Sequence, residues 1–266
     1  MKSLIKELLK ATRRKVAMLS NSLGSKKKCY ICNRTFYYFT KFGNGSQGMP
    51  EFSKRLNIVG SDIDNFGCMY CGSNDRERHL FMFFDKLGLW EKMKGAKILH
   101  FAPEKNLPSK ICEQYPLEYI KADLCPKNED VKNIDATAIP FNDVTFDFII
   151  ANHILEHISD YSKALYEIFR VLKSGGIAIL QTPYSELLRH NFEDDNINTD
   201  DLRLFFHGLE DHVRTFGEYQ FLRSLEDVGF EIQVKKHEEL FDNHMAYYYG
   251  VNSRECLIQV VKPACR

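Results

Sequence analysis

The sequence predicts an α/β fold: a mostly parallel sheet with helices on both faces, preceded by a small cysteine-bearing module. Three observations carry this. Short apolar runs at 96–101, 117–121, 146–151 and 177–182 alternate with helical patterns near 105–114 and 161–172, and such alternation builds a sheet covered on both faces rather than a sandwich. Two C-x2-C pairs sit upstream of that pattern. The chain has 266 residues, 44% hydrophobic and 27% charged, enough for one elaborated domain plus a small module and unlike a disordered or fibrous chain.

Taken in order, residues 1–28 form a basic amphipathic helix and linker. Residues 1–19 carry six basic side chains against one Glu, with Leu4, Ile5, Leu8, Leu9, Val16 and Leu19 in helical register. This helix packs on the main domain or docks an anionic surface, and Lys26, Lys27 and Lys28 extend its positive field. Residues 29–78 form the cysteine module, too small to be stabilised by core burial alone. A connecting helix over 79–94 then leads to the main domain, 96–266. Within that domain, 183–216 is rich in Asp, Asn, Arg and His and reads as an insertion covering a crevice. Residues 218–228 read as helix and 230–234 as strand, while 246–249 and 257–261 read as a terminal antiparallel pair.

The 36 basic residues cancel the 36 acidic ones, which removes a global electrostatic argument for nucleic acid. No uncharged apolar run approaches the roughly 18 residues of a membrane span, and basic residues interrupt the N-terminal segment before a secretory apolar core can form. A soluble, cytoplasmic protein is the expectation. The sequence leaves its oligomeric state open.

Cys29 and Cys32 form the first pair, Cys68 and Cys71 the second, after an interval of 35 residues. Four thiolates close a tetrahedral zinc shell with no position left for catalysis, so structural Zn2+ is favoured over an iron–sulfur centre or disulfides. Asn33 and Gly72, which follow the pairs, suit sharp knuckles. Beyond them, Arg76, Arg78 and His79 are candidates for holding a phosphate-bearing substrate, or a helix-start cluster paired with Asp75 and Glu77.

Asp135-Ala136-Thr137 and Ile139-Pro140-Phe141 precede a strand ending at Ala151 and then His153-Ile154-Leu155-Glu156-His157. This resembles class I S-adenosylmethionine-dependent methyltransferases, whose turn before the fifth strand is also similar to Arg170-Val171-Leu172-Lys173-Ser174-Gly175-Gly176. The resemblance implies a Rossmann-like sheet over about 96–262. With the cysteine module, the chain looks like a zinc-knuckle subgroup found among bacterial capsular and surface-polysaccharide enzymes. The Gly-rich loop of the wider family is here His100-Phe101-Ala102-Pro103-Glu104, an Ala-Pro-Glu replacement that resembles the same subgroup.

By this resemblance S-adenosyl-L-methionine is the cofactor. Phe101, Ala102 and Glu104 border it, Asp123 takes the ribose hydroxyls, and Asp135 with the Ala136 backbone places the adenine. Phe101 and Ile139 add apolar contacts, and His153 lies at the methyl-transfer mouth, where Glu156 orients the turn. A second segment, His207 to Arg214, resembles the subgroup's substrate-facing Asp-His-Val-Arg motif. His212 is the leading base candidate, with His153 as the other; Arg214 is positioned to hold a phosphate or carboxylate, and His207 and Asp211 complete the substrate side. The implied reaction is methyl transfer to oxygen on an anionic small molecule or activated sugar, with a phosphorylated or phosphoramidate acceptor favoured. Two alternatives stay open: a catalytically inactive adenosyl-binding scaffold, and a zinc-ribbon RNA methyltransferase or RNA-binding protein.

Overall fold

The computed structural model describes residues 12, 15–16, 18–22 and 26–264. The basic helix read over 1–19 thus falls largely outside the described residues. The described residues there, 12, 15–16 and 18–22, are helical, and buried Asn21 accepts the Tyr37 and Tyr38 backbone N–H groups at the edge of the cysteine module.

Strands β1 (Lys27–Lys28) and β2 (Thr35–Phe36) form a short antiparallel hairpin around the first cysteine pair. Lys27 is buried there: its ammonium donates to the Tyr247 carbonyl and lies 3.4 Å from the Tyr247 ring centroid. It is therefore a packing group, not part of a solvated positive field.

The connecting helix runs over Asp75–Leu87, beginning earlier than the apolar pattern alone implies because the Asn74 side chain caps it by accepting from Glu77 N. It ends where Gly88 takes a left-handed conformation at φ 64°. The sheet follows, from β3 (Lys97–Phe101), β4 (Glu118–Asp123), β5 (Lys132–Asn133), β6 (Phe146–Ala151) and β7 (Leu172–Ile179). In the 183–216 insertion, β8 (Tyr184–Ser185) pairs with β9 (Phe216–Gly217), and a helix spans Asp200–His207. Last come β10 (Glu231–Lys235) and β11 (Leu257–Val261).

Seven of these strands form one sheet in the order β10-β11-β7-β6-β3-β4-β5. Neighbours from β5 through β7 are parallel, whereas β11 runs antiparallel to both β7 and β10. The central strands β3 and β6 are buried almost throughout, with Leu99 opposite both Ile120 and Ile149. The helix Tyr161–Val171 turns Tyr161, Ala164, Leu165, Ile168 and Val171 inward, the one-sided spacing that packs on a sheet face.

Residues 246–249 depart from the strand expectation. They belong to the helix Asn243–Tyr249, capped by Asp242 through His244 N and closed by Gly250 at φ 60°. The aromatic run mimics strand composition, but caps at both ends decide for helix. β11 finds its antiparallel partner in β10 instead, so the sheet does end in an antiparallel pair.

Arg78 pins the module to the C-terminal region. All five of its N–H groups donate to backbone carbonyls, those of Asn65, Phe66, Ser73, Tyr249 and Gly250, and its guanidinium lies 3.8 Å from the Phe39 ring centroid. The substrate role expected of Arg78 is excluded by this geometry, because no donor remains. Arg78→Ala strips buried carbonyls of their partners and should lower unfolding free energy by about 3 kcal/mol or more in urea titration; a loss below about 1 kcal/mol would show that the pin is dispensable.

Candidate functional site

The four cysteine sulfurs converge. Cys29 Sγ lies 3.6 Å from Cys71 Sγ and Cys32 Sγ lies 3.8 Å from Cys68 Sγ, with all four within 4.8 Å of one another. Disulfides need about 2.05 Å, whereas tetrahedral zinc thiolates stand about 3.8 Å apart. The two knuckles share one backbone form: Asn33 N and Gly72 N donate to the carbonyls of Cys29 and Cys68, with Asn33 at φ 59° and Gly72 at φ 74°. The residues present therefore fit a four-thiolate metal ion.

The sheet order, numbered along the chain, reads 3-2-1-4-5-7-6 from the β5 edge, and the order reverses between β3 and β6. Ligands of such sheets gather beyond the carboxyl ends at the reversal point. There Ala102 sits at φ 44°, so this loop takes the left-handed turn that glycine usually supplies, at a strain of about 1–3 kcal/mol. Glu104 is held by His100 Nε2 at 2.7 Å and by Asn152 Nδ2 at 3.0 Å, and His100 is fixed in turn by the Tyr119 hydroxyl at 2.9 Å. Burial opposes the charge on Glu104, but the contacts with His100 and Asn152 outweigh it and lower its pKa. From the other side, buried Glu77 accepts from Asn106 N and Leu107 N and so anchors the end of this loop. Asp123 and Asp135 each spend one oxygen on their own turns, through Cys125 N and Thr137 N, both at 2.8 Å. Phe101, Ala136 and Ile139 are buried in the adjoining core.

A cavity of about 340 Å³ opens between loops of the cysteine module and the insertion. Phe42, Ile58 and Phe66 line one side, Pro183 and Leu209 the other, and Arg76, His207 and His212 bring nitrogen groups to its wall. Arg76 forms no hydrogen bond or ion pair among the described residues, unlike Arg78 two positions on. His207 is held by Thr215 Oγ1 at 3.0 Å, with Nε2 buried and without a hydrogen-bond partner among the described residues. Burial lowers the pKa of both His207 and His212 to about 4, so both rings are neutral near pH 7.

The remaining candidates divide. His153, at φ 51°, is enclosed rather than open: Nε2 lies 3.1 Å from Glu255 Oε1 and Nδ1 lies 3.5 Å from Glu156 Oε1. Burial and the Arg76 charge depress its pKa, but the two carboxylates prevail and raise it. Arg214 points away from the cavity, donating to the Leu155, Ile158 and Ser159 carbonyls and to Glu193. Its expected contact with substrate therefore gives way to holding the 155–159 turn. Asp211 is exposed and faces His157, not His212. Glu77 entered the sequence reading only as a charge partner at the helix start, and Asn152 and Glu255 not at all. For Asn152, its place directly after β6 was the available signal; Glu77 and Glu255 gave none, because their partners are distant in sequence.

The sheet has the fold of class I methyltransferases. A family of methyltransferase domains matches residues 110–180. The solved S-adenosylmethionine-dependent methyltransferase of Mesorhizobium loti is 12% identical and aligns over 68% of this chain and 97% of its own, with a TM-score of 0.50. YcgJ from Bacillus subtilis is 18% identical over 68% of this chain and 99% of its own, TM-score 0.44. A Haemonchus contortus phosphoethanolamine N-methyltransferase is 15% identical over 68% of this chain and 52% of its own, TM-score 0.44. No curated protein matches the chain.

Mercurial titration of the purified protein is expected to release one zinc ion per chain as the four thiolates react, and Cys68→Ser should abolish that release. Release unchanged by the substitution would place the zinc elsewhere.

Proposed function

We propose that this protein is an S-adenosylmethionine-dependent O-methyltransferase acting on a polar, anionic small molecule. The observation that carries the reading is the cavity lined by Pro183, just beyond the carboxyl end of β7, where Arg76 forms no hydrogen bond or ion pair among the described residues. The methyl donor would lie against the 101–104 loop, with Asp123 accepting the ribose hydroxyls and Asp135 and the Ala136 N–H placing the adenine. The acceptor would occupy the cavity, its negative group on Arg76, bringing an oxygen behind the methyl and opposite the sulfur. Alignment of this kind supplies much of the rate enhancement in an in-line transfer. Where the acceptor is a hydroxyl, the neutral His212 ring offers a lone pair to its proton; an ionised phosphoryl or phosphoramidate oxygen needs alignment alone. His153 is too enclosed for direct contact and acts through Glu156 instead.

The finer reading is a phosphorylated, phosphoramidate-bearing or activated-sugar intermediate of surface-polysaccharide assembly. It rests on the resemblance of the cysteine module and the Asp-His-Val-Arg segment, and on the positive charge at the cavity. Structural zinc in the four-cysteine site would brace the wall of that cavity.

Two measurements separate donor from acceptor. By calorimetry, Asp123→Ala should weaken S-adenosylhomocysteine binding about 10-fold or more, the scale of a charged hydrogen bond, with far-UV circular dichroism unchanged; equal affinity would remove the ribose assignment. In assays of label transfer to phosphorylated acceptors, Arg76→Ala should raise KM about 10-fold or more while leaving S-adenosylhomocysteine affinity intact. An unchanged KM would mean that the anionic group binds elsewhere.

A further inference from the structure

A cluster of metal-ligating side chains meets the cavity at His212. Glu156, His157 and His212 bring one carboxylate oxygen and two imidazole nitrogens within 4.8 Å of one another. Glu156 Oε1 lies 3.9 Å from His212 Nε2 and 4.0 Å from His157 Nε2. This oxygen is fully buried and accepts no hydrogen bond among the described residues, with His153 Nδ1 facing it at 3.5 Å, while Oε2 takes the Thr182 hydroxyl at 3.0 Å. The nitrogens are prepared in the same sense. His157 Nδ1 is engaged by the Asp211 carbonyl at 3.1 Å, with Asp211 Oδ2 at 3.4 Å, and a ring held through one nitrogen presents the other as a ligand. His157 and His212 are set edge to face, with centroids 4.8 Å apart.

The structure assigns to Glu156, His157 and His212 a divalent transition-metal site that holds the acceptor oxygen in the cavity. Two imidazoles and one carboxylate are the ligand set of catalytic zinc centres, which keep a fourth position open. Nitrogen and oxygen ligands at about 2.1 Å from a tetrahedral ion stand roughly 3.4 Å apart, so closure asks for side-chain movements of less than about 1 Å, within reach of the half-exposed His157. Of the three ligands His212 lines the cavity, so an acceptor there would reach the ion from the His212 side. Coordination there would favour the deprotonated acceptor and turn its lone pair toward the methyl group; the His212 lone pair would then serve the ion and not the acceptor proton. His153, whose Nδ1 faces the same Glu156 oxygen at 3.5 Å and has no hydrogen-bond partner, is a positioning residue behind the ligand.

The role given to the ion rests on the proposed methyl-transfer reading; the site itself does not, and the test keeps them apart. Zn2+ is titrated calorimetrically into the protein with its four-cysteine site already filled. One further equivalent is expected to bind, and His157→Ala, His212→Ala and Glu156→Gln should each weaken it at least 10-fold, while mercurial-released zinc and S-adenosylhomocysteine affinity stay as in the wild type. Absence of a further equivalent, or one that survives all three substitutions, overturns the site and shows Glu156 to be only the counter-ion of His153. Retained metal binding without S-adenosylhomocysteine affinity would leave the site standing and remove the methyl-transfer reading.

Discussion

The structure turns on the buried charges in the first turn of the helix Asp75–Leu87. Asp75, Glu77, Arg78 and His79 are each 1% exposed or less, and a buried charge is tolerated only where partners are fixed around it. Those partners come from four different places. Asp75 accepts from Asp62 in the cysteine module, Glu77 holds Asn106 and Leu107, and Arg78 collects carbonyls from the module and from Tyr249 and Gly250. His79 meets His237 at 2.8 Å and faces Glu255 at 3.6 Å. One helical turn therefore sets the position of the thiolate module against the loop that would hold a methyl donor.

This arrangement explains how the sheet manages without the glycine-rich loop. Instead of a flexible backbone wrapped closely on a ligand, the 101–107 segment is held by side chains: Glu77 from one side, and His100 and Asn152 through Glu104 from the other. Ala102 keeps the left-handed turn. Preorganisation by neighbouring groups replaces conformational freedom, and the module that supplies part of the bracing also supplies one wall of the cavity. The opposite wall comes from the insertion, where Val213 N bonds to the Glu156 carbonyl and Arg214 ties down the 155–159 turn. Residues that bring no atom to a substrate thus decide where His212 stands.

Much of the fold was legible because buried parallel strands are continuous apolar runs. The segments 97–101 and 146–151 could hardly be anything else, and the cysteine spacing announced convergent sulfurs. Polar roles were harder to read. Arg76 and Arg78 lie two positions apart in one charged cluster, yet Arg76 opens onto the cavity and Arg78 is consumed by carbonyls far along the chain; no local pattern distinguishes them. In the Asp-His-Val-Arg segment His212 reaches the cavity, but Arg214, which simple strand alternation would put on the same face, is drawn instead to the Leu155, Ile158 and Ser159 carbonyls and to Glu193, partners that no local pattern announces. Likewise Tyr247, Tyr248 and Tyr249 carry strand-like composition, and the caps that make them helical lie in Asp242 and Gly250.

Through Glu77 the thiolate module and the 101–107 loop form one mechanical unit. Amide hydrogen exchange at residues 102–107, followed by mass spectrometry before and after the four thiolates are stripped of metal, tests it most directly. The account predicts that exchange in this loop accelerates together with that of 62–75, while β6 stays protected. Faster exchange confined to the module, with 102–107 unchanged, would contradict it.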